Sequence, residues 1–177
     1  MHRYIAFLRG VNVSGQKIIK MEALRSILSD AGFIDVKTYI QSGNILFTAG
    51  NEDENQLMQN IENQIEEAFG FRTDVILRKL TDIEGIVSSA LFSTLRSEDG
   101  GKHYITFLKH EYVQPLKIPL FSKNKDIIII KQTPMDMISI STQFNGTYGF
   151  PNSFIEKLTG IPATTRNPNT LEKILKL

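Results

Sequence analysis

The chain predicts an α+β protein: an N-terminal ferredoxin-like βαββαβ antiparallel sheet over residues 1–79, then a second small α+β domain over residues 80–177 ending in a helix. Three observations lead there. Strand-like and helix-like periodicities alternate through the first half in the order strand, helix, strand, strand, helix, strand. Ser42 and Gly43 separate two β-prone runs by the spacing of a tight hairpin turn. From His103 the strand pattern returns and runs through three strands into a helix.

The first strand, residues 3–8, is apolar on both faces. Ile5 and Phe7 oppose Tyr4, Ala6 and Leu8, so cover beyond the local helices is expected. Met21, Leu24, Ile27, Leu28 and Ala31 then recur at helical spacing ahead of Gly32, which suits a left-handed stop. Residues 36–41 and 44–48 are the hairpin strands. Leu57, Met58, Ile61, Ile65, Ala68 and Phe69 mark a long amphipathic helix ending at Gly70, and its Asn-, Gln- and Glu-rich face reads as solvated surface. Residues 73–77 supply the fourth strand. In this topology strand one lies against strand three and runs opposite to it. The loop after strand one therefore shares a sheet edge with the hairpin tip, and Arg72 belongs to that edge as well.

In the second half, Thr81 and Glu84 form a capping box at the start of a helix carrying Ile83, Ile86, Val87, Ala90 and Leu91. The polar residues 96–102, with Gly100 and Gly101, predict a loop or hinge. Strands are expected at 103–108, 126–131 and 137–142, with Pro115 and Pro119 in the connection after the first, and a helix at 152–159 stopped by Gly160. This order matches the first half with its last strand missing, without a residue-level repeat. The segment from Ala163 reads as a loop leading to a last helix with Leu171, Ile174 and Leu175 on its apolar side. Asn167 and Pro168 make a cap and first-turn pair, and Asn169 with Glu172 offers a second register.

Composition narrows the function classes. The 20 Lys and Arg against 19 Asp and Glu leave a net charge of +1, so no overall field selects nucleic acid or an anionic membrane, and any basic site is local. The absence of Cys excludes disulfides, thiol catalysis and thiolate metal sites, and a reducing cytoplasm is the expected location. Apolar runs are strand-sized, so no signal peptide, transmembrane helix or other membrane association is expected. His2, His103 and His110 lack metal-ligand spacing, and no serine has the setting of an activated nucleophile, so no metal, cofactor or triad is expected.

Polar residues concentrate in three places. The stretch LRGVNVSGQKIIK, residues 8–20, holds Arg9, Asn12, Ser14 and Lys17 between and beside two glycines, a mixture that can cradle an anion on backbone N–H groups with cations alongside. Its glycine spacing fits neither the P-loop nor the dinucleotide fingerprint, and Glu22 opposes an anion at the following helix terminus. The same residues also suit a long connection in which Asn12 and Ser14 satisfy the backbone. At the hairpin tip, turn chemistry explains Ser42 and Gly43, whereas the amides of Gln41 and Asn44 exceed what the turn needs. Near the C-terminus capping accounts for Asn167 but not for Arg166, whose guanidinium beside a helix start calls for an anion or carboxylate. Tyr4, Phe7 and Phe47 read as core, not as base-stacking platforms, because both strand faces are apolar.

Three segments in order, YIAFLRGVNVSGQK, VKTYIQSGNILF and IPATTRNPNT, resemble the signatures of a bacterial family, domain of unknown function 1697. The resemblance spans nearly the whole chain. It implies an N-terminal ferredoxin-like part and a second α+β part, and it brings no activity. Where that family usually has Trp after Arg-Asn, this chain has Pro168. The expected function is a ligand-binding module in which Arg9, Asn12, Ser14, Lys17, Gln41, Ser42, Asn44, Arg166 and Asn167 line a composite cleft for an anionic ligand, a nucleotide or a nucleic-acid phosphate. The alternatives are an enzyme using the same cleft, which lacks an evident general base, and a protein-interaction module presenting an apolar sheet face.

Overall fold

The computed structural model describes residues 1–50, 52–89, 92 and 100–177. The chain divides into two compact units, Met1–Gly85 with Lys173–Leu177, and Ile86–Glu172.

The first unit runs β1 (His2–Leu8), α1 (Met21–Asp30), β2 (Ile34–Tyr39), β3 (Asn44–Ala49), α2 (Glu54–Phe69) and β4 (Val75–Lys79), and α3 (Leu80–Ser88) follows. Its sheet order is β2-β3-β1-β4 with every neighbouring pair antiparallel, as the βαββαβ order predicts. Asp53 accepts the N–H groups of Asn55 and Gln56 and so starts α2, and Gly70 at φ +74° stops it. One sheet face, with Tyr4, Ala6, Leu8, Ile45, Phe47 and Leu77, packs with Leu24, Leu28, Leu57, Ile61 and Ile65 of the helices. Tyr4 stacks on Phe47 at 5.7 Å between ring centroids, and Phe33 meets Phe47 edge-on at 5.0 Å. Burial of each such side chain stabilises the unit by about 1.5–3 kcal/mol. On the opposite face Ile5, Phe7, Leu46 and Ile76 are buried too, in accord with a strand that is apolar on both sides.

Two boundaries differ from expectation. The fourth strand begins at Val75, because Thr73 turns its hydroxyl to the carbonyl of Arg9 at 2.7 Å instead of joining the ladder. α3 begins at Leu80, directly from β4, so Thr81 lies inside the helix and does not cap it as the Thr81 and Glu84 pair suggested. The expected apolar positions Ala90 and Leu91, and residues 96–99 of the expected loop, lie outside the described residues.

The second unit runs β5 (Lys102–Leu108), β6 (Leu120–Phe121), β7 (Ile127–Gln132), β8 (Asp136–Ser141), β9 (Gln143–Phe144), β10 (Thr147–Tyr148), α4 (Pro151–Thr159) and β11 (Ala163–Arg166), with α5 (Pro168–Ile174) at its end. β9 and β10 form a separate two-stranded ribbon, and the main sheet has the order β11-β5-β8-β7-β6. Ala163 to Arg166, expected as loop, is thus a strand, paired antiparallel with β5. Its β-branched Thr164 and Thr165 supply the propensity, and its four-residue length hid it.

β11 completes a match between the units. The order β7-β8-β5-β11 repeats β2-β3-β1-β4; the first helix is replaced after β5 by the Pro-containing connection, and β6, β9 and β10 are additions of the second unit. The register aligns Tyr4-Ile5-Ala6-Phe7-Leu8 with Tyr104-Ile105-Thr106-Phe107-Leu108, a residue-level repeat after all. The ties around it repeat as well. The N–H of Leu8 donates to Gly43 O and that of Arg9 to Asp74 O, while those of Leu108 and Lys109 donate to Met135 O and Pro162 O, all within 2.8–2.9 Å. Glu62 on α2 accepts the N–H of Val75, and Glu156 on α4 accepts that of Ala163, both at 2.8 Å. The core chemistry diverges: Phe47, Ala49 and Leu77 have Ser139, Ser141 and Thr165 at the matching positions. Thr106 and Thr165 join hydroxyls at 2.9 Å, and Thr165 donates to Asn152 on α4 at 3.0 Å.

Gly43 shows how tightly the hairpin tip sits on the end of β1. A Cβ there would lie 2.7 Å from Leu8 Cβ and 2.7 Å from Val11 Cγ2, at φ +69°. Gly43→Ala is expected to destabilise the chain by about 2 kcal/mol, from overpacking plus a left-handed alanine. Urea unfolding monitored by circular dichroism measures it, and a shift below about 0.5 kcal/mol would show that the tip has room to move.

Candidate functional site

The end of β1 gathers polar groups because three backbone paths meet there. Antiparallel pairing with β3 and β4 brings the hairpin tip and the start of β4 to Leu8 and Arg9, through the two hydrogen bonds to Gly43 and Asp74. The loop that follows is a small finger. Asn12, Ser14, Gly15 and Lys17 take φ values between +48° and +74°, and Val13 pairs with Gln16, whose N–H donates to Val13 O at 2.9 Å. Ser14 and Gly15 thus form its two-residue turn, both left-handed, as a primed turn requires.

Asn12 anchors the finger. Its Oδ1 accepts the N–H of Ile19 at 2.8 Å, and its Nδ2 donates to Ile19 O at 3.0 Å and to Gln41 O at 2.7 Å. Asn44 is 1% exposed, with Nδ2 given to Tyr39 O at 3.1 Å and to Ser42 Oγ at 2.8 Å. Asn12, Ser42 and Asn44 are therefore engaged in holding the loop and turn together, which is the structural role their residue types also allowed. Ser14 and the side chain of Gln41 are exposed on the same edge.

The charged residues of the edge lean toward α2. Arg9 faces Asp74 across 3.7 Å, and Lys17 Nζ donates to Arg72 O at 2.6 Å with its ammonium 5.9 Å from the Phe71 ring. Arg72 gives its Nε to both carboxylate oxygens of Glu66, at 2.8 and 2.9 Å, and that partner raises its pKa. Lys17, Glu66, Arg72 and Asp74 border a groove of about 370 Å³. Lys17, Arg72, Thr73 and Asp74 line it on the loop side; Gln59, Glu62, Asn63 and Glu66 line it from α2. The four α2 residues recur at i, i+3, i+4 and i+7, which places them on one helix face. Sequence reasoning read that face as solvated surface and missed the groove. The available signal was the sheet topology, which lays the second half of α2 beside the start of β4.

Arg166 and Asn167 belong to the second unit. Arg166 ends β11, where its Nη1 donates to Thr164 Oγ1 at 2.6 Å and to Thr165 O at 3.0 Å. Burial pushes its pKa down to about 10, which leaves it charged at neutral pH. Asn167 caps α5 by accepting the N–H of Thr170 at 2.8 Å, with Pro168 as the first helical residue, so the first of the two registers is the one used. Arg78 of β4 matches Arg166 in register and makes the corresponding bond to the preceding carbonyl, Leu77 O, at 2.7 Å.

The sequence matches a family described as "Protein of unknown function (DUF1697)" over residues 1–129. The chain belongs to this family. The match covers β1 through β6 and the first three residues of β7, including the finger, the hairpin tip and the whole of α2. None of the curated proteins searched matches the chain. Among solved structures the fold is similar to that of the conserved bacterial protein SP0830 from Streptococcus pneumoniae, at 23% identity and a TM-score of 0.66, over 99% of this chain and 97% of that one. That likeness of fold takes in both units. Among the described residues, no helix is long and apolar enough to cross a membrane.

The anchoring role of Asn12 is directly testable. Asn12→Ala removes three hydrogen bonds and strands the Ile19 N–H, so a loss of about 2 kcal/mol is expected together with faster amide exchange at Ile19. An unchanged urea midpoint would mean that the finger is held by other contacts.

Proposed function

We propose that this DUF1697 protein is a ligand-binding module whose N-terminal unit takes a small polar ligand in the groove between α2 and the β1–α1 loop. The observation that carries this reading is the groove itself: about 370 Å³, within the range of small-molecule sites, lined by one face of α2 and by the loop residues Lys17, Arg72, Thr73 and Asp74. Lys17 and Arg72 would receive an acidic group of the ligand. Lys17 Nζ donates to Arg72 O and Arg72 Nε to Glu66, contacts that bring both cations to the same wall of the groove.

This narrows the anion site expected from sequence. Asn12, Ser42 and Asn44 would support the groove from behind, through the loop and turn that they hold, and would not touch the ligand. Glu62, Glu66 and Asp74 argue against a polyphosphate or a nucleic-acid backbone, because several added negative charges would meet three carboxylates. A ligand with one acidic group avoids that repulsion.

The test is a titration of the ¹⁵N-labelled protein with inorganic phosphate, adenosine monophosphate, L-glutamate and L-lysine, followed by amide shifts. At least one acid-bearing probe is expected to shift Lys17, Arg72 and Thr73. Lys17→Ala and Arg72→Ala are each expected to weaken that probe about tenfold, the loss of one charge-assisted hydrogen bond, with stability changed by less than about 0.5 kcal/mol. Shifts confined to other surfaces, or loss of stability in step with loss of binding, would refute the reading.

A further inference from the structure

We infer that the second unit holds a ligand site of its own, closed in this structure, on the floor formed by β5 and β8 beneath the return from β10 to α4, and that its ligand is a hexose sugar. Two side chains of that floor lead there. Ser139 and Ser141 are fully buried, and their Oγ atoms have no hydrogen-bond partner. A hydroxyl sealed away in this state has given up water and gained nothing, so each is a polar contact left open for something other than the fold. The first unit has no such feature. Phe47 and Ala49 stand at the matching positions there, in one apolar cluster with Leu24 and Leu28 of α1. The second unit has no counterpart of that helix.

A short strap crosses this face instead. Register places Tyr104 beside Ser139, and both Lys102 and Ile127 beside Ser141, all on one side of the sheet. Phe150 lies edge-on to Tyr104 at 5.5 Å between ring centroids, and a Cβ at Gly149 would lie 2.8 Å from Ile127 Cγ1. Residues 148–150 therefore run over the serines, with a glycine where they come closest. Their hold is slight. Tyr148 donates its hydroxyl to Gly100 O at 3.1 Å and has Lys102 Nζ 4.1 Å above its ring, while the Gly149 N–H reaches Thr142 O only at 3.4 Å. Phe150 is 56% exposed and starts α4 without a side-chain cap. Lifting the strap would unite the serine hydroxyls, which donate and accept, with the rings of Tyr104, Tyr148 and Phe150 and the ammonium of Lys102. A hexose presents both chemistries: C–H faces for the rings, and hydroxyls all round for the serines and the lysine. The Tyr104 and Phe150 ring planes stand at 83°, which does not make the parallel slot that a flat base needs.

The experiment is titration of the ¹⁵N-labelled full chain with D-glucose, D-galactose and adenosine, followed by amide shifts. At least one hexose is expected to shift Lys102, Ser139, Ser141 and Tyr148 while the amides of Lys17, Arg72 and Thr73 stay still. Ser139→Ala and Ser141→Ala each remove a hydroxyl without a partner, so both variants are expected to melt no lower than the parent and to bind that hexose about tenfold more weakly. Tyr148→Phe keeps the ring and frees the strap from Gly100, so it is expected to tighten binding about threefold by populating the open form. Adenosine bound on these residues in preference to both hexoses, no shift there with either hexose, or alanine variants that lose melting temperature in step with binding would overturn the inference.

Discussion

The position of β1 between β3 and β4 is the constraint on which the rest depends. Like β3 it has ladders on both sides, and its last residue and the one after it are tied to Gly43 and Asp74. Those two bonds decide where the finger starts, how close the hairpin tip comes, and where Asp74 stands relative to Arg9 and α2. Gly43 is needed because that approach leaves no space for a side chain. Each polar contact of the edge, from Asn12 to Gln41 O and from Thr73 to Arg9 O, is downstream of this register.

The second unit applies the same constraint to different side chains. Leu108 and Lys109 repeat the two terminal bonds of Leu8 and Arg9, and Glu156 repeats the bond of Glu62 to the first residue of the last strand. What surrounds the constraint has changed. No helix follows β5, and hydroxyls occupy core positions that are apolar in the first unit. The return from α4 is also shorter: Glu156 and Ala163 are seven residues apart where Glu62 and Val75 are thirteen apart. The longer return carries Phe71, Arg72 and Thr73, so the groove belongs to the first unit, and its second counterpart lacks the residues that would form one wall.

The sequence made the strand order and the convergence of the loop, hairpin tip and Arg72 legible, because hydrophobic periodicity is strong in β1, α1, β3 and α2 and the sheet topology follows from their order. It made β11 hard to see, since four residues with two threonines give no alternation to count. The repeat of Tyr-Ile-x-Phe-Leu was present in the letters, but its meaning depended on β11 and so on pairing. The candidate residues divided by a property that residue type does not reveal. Asn12 and Asn44 have the chemistry of ligand contacts and spend it on carbonyls and a hydroxyl of their own loop. Glu62 and Glu66 have the chemistry of a solvated helix face and line the groove, because α2 lies beside the chain that leads into β4. Which neighbour a polar group meets is set by tertiary packing, and periodicity alone does not encode it.

In this account the backbone ties at Leu8 and Arg9 set the loop-side wall of the groove, where Lys17 and Arg72 would receive an acidic group of the ligand. A crystal structure of the chain grown with the acid-bearing probe that shifts the Lys17 and Arg72 amides tests this most directly. The account predicts ligand density in the groove, with the acidic group at Lys17 and Arg72. An empty groove with the probe bound elsewhere, or the probe turned with its acidic group toward α2, would contradict it.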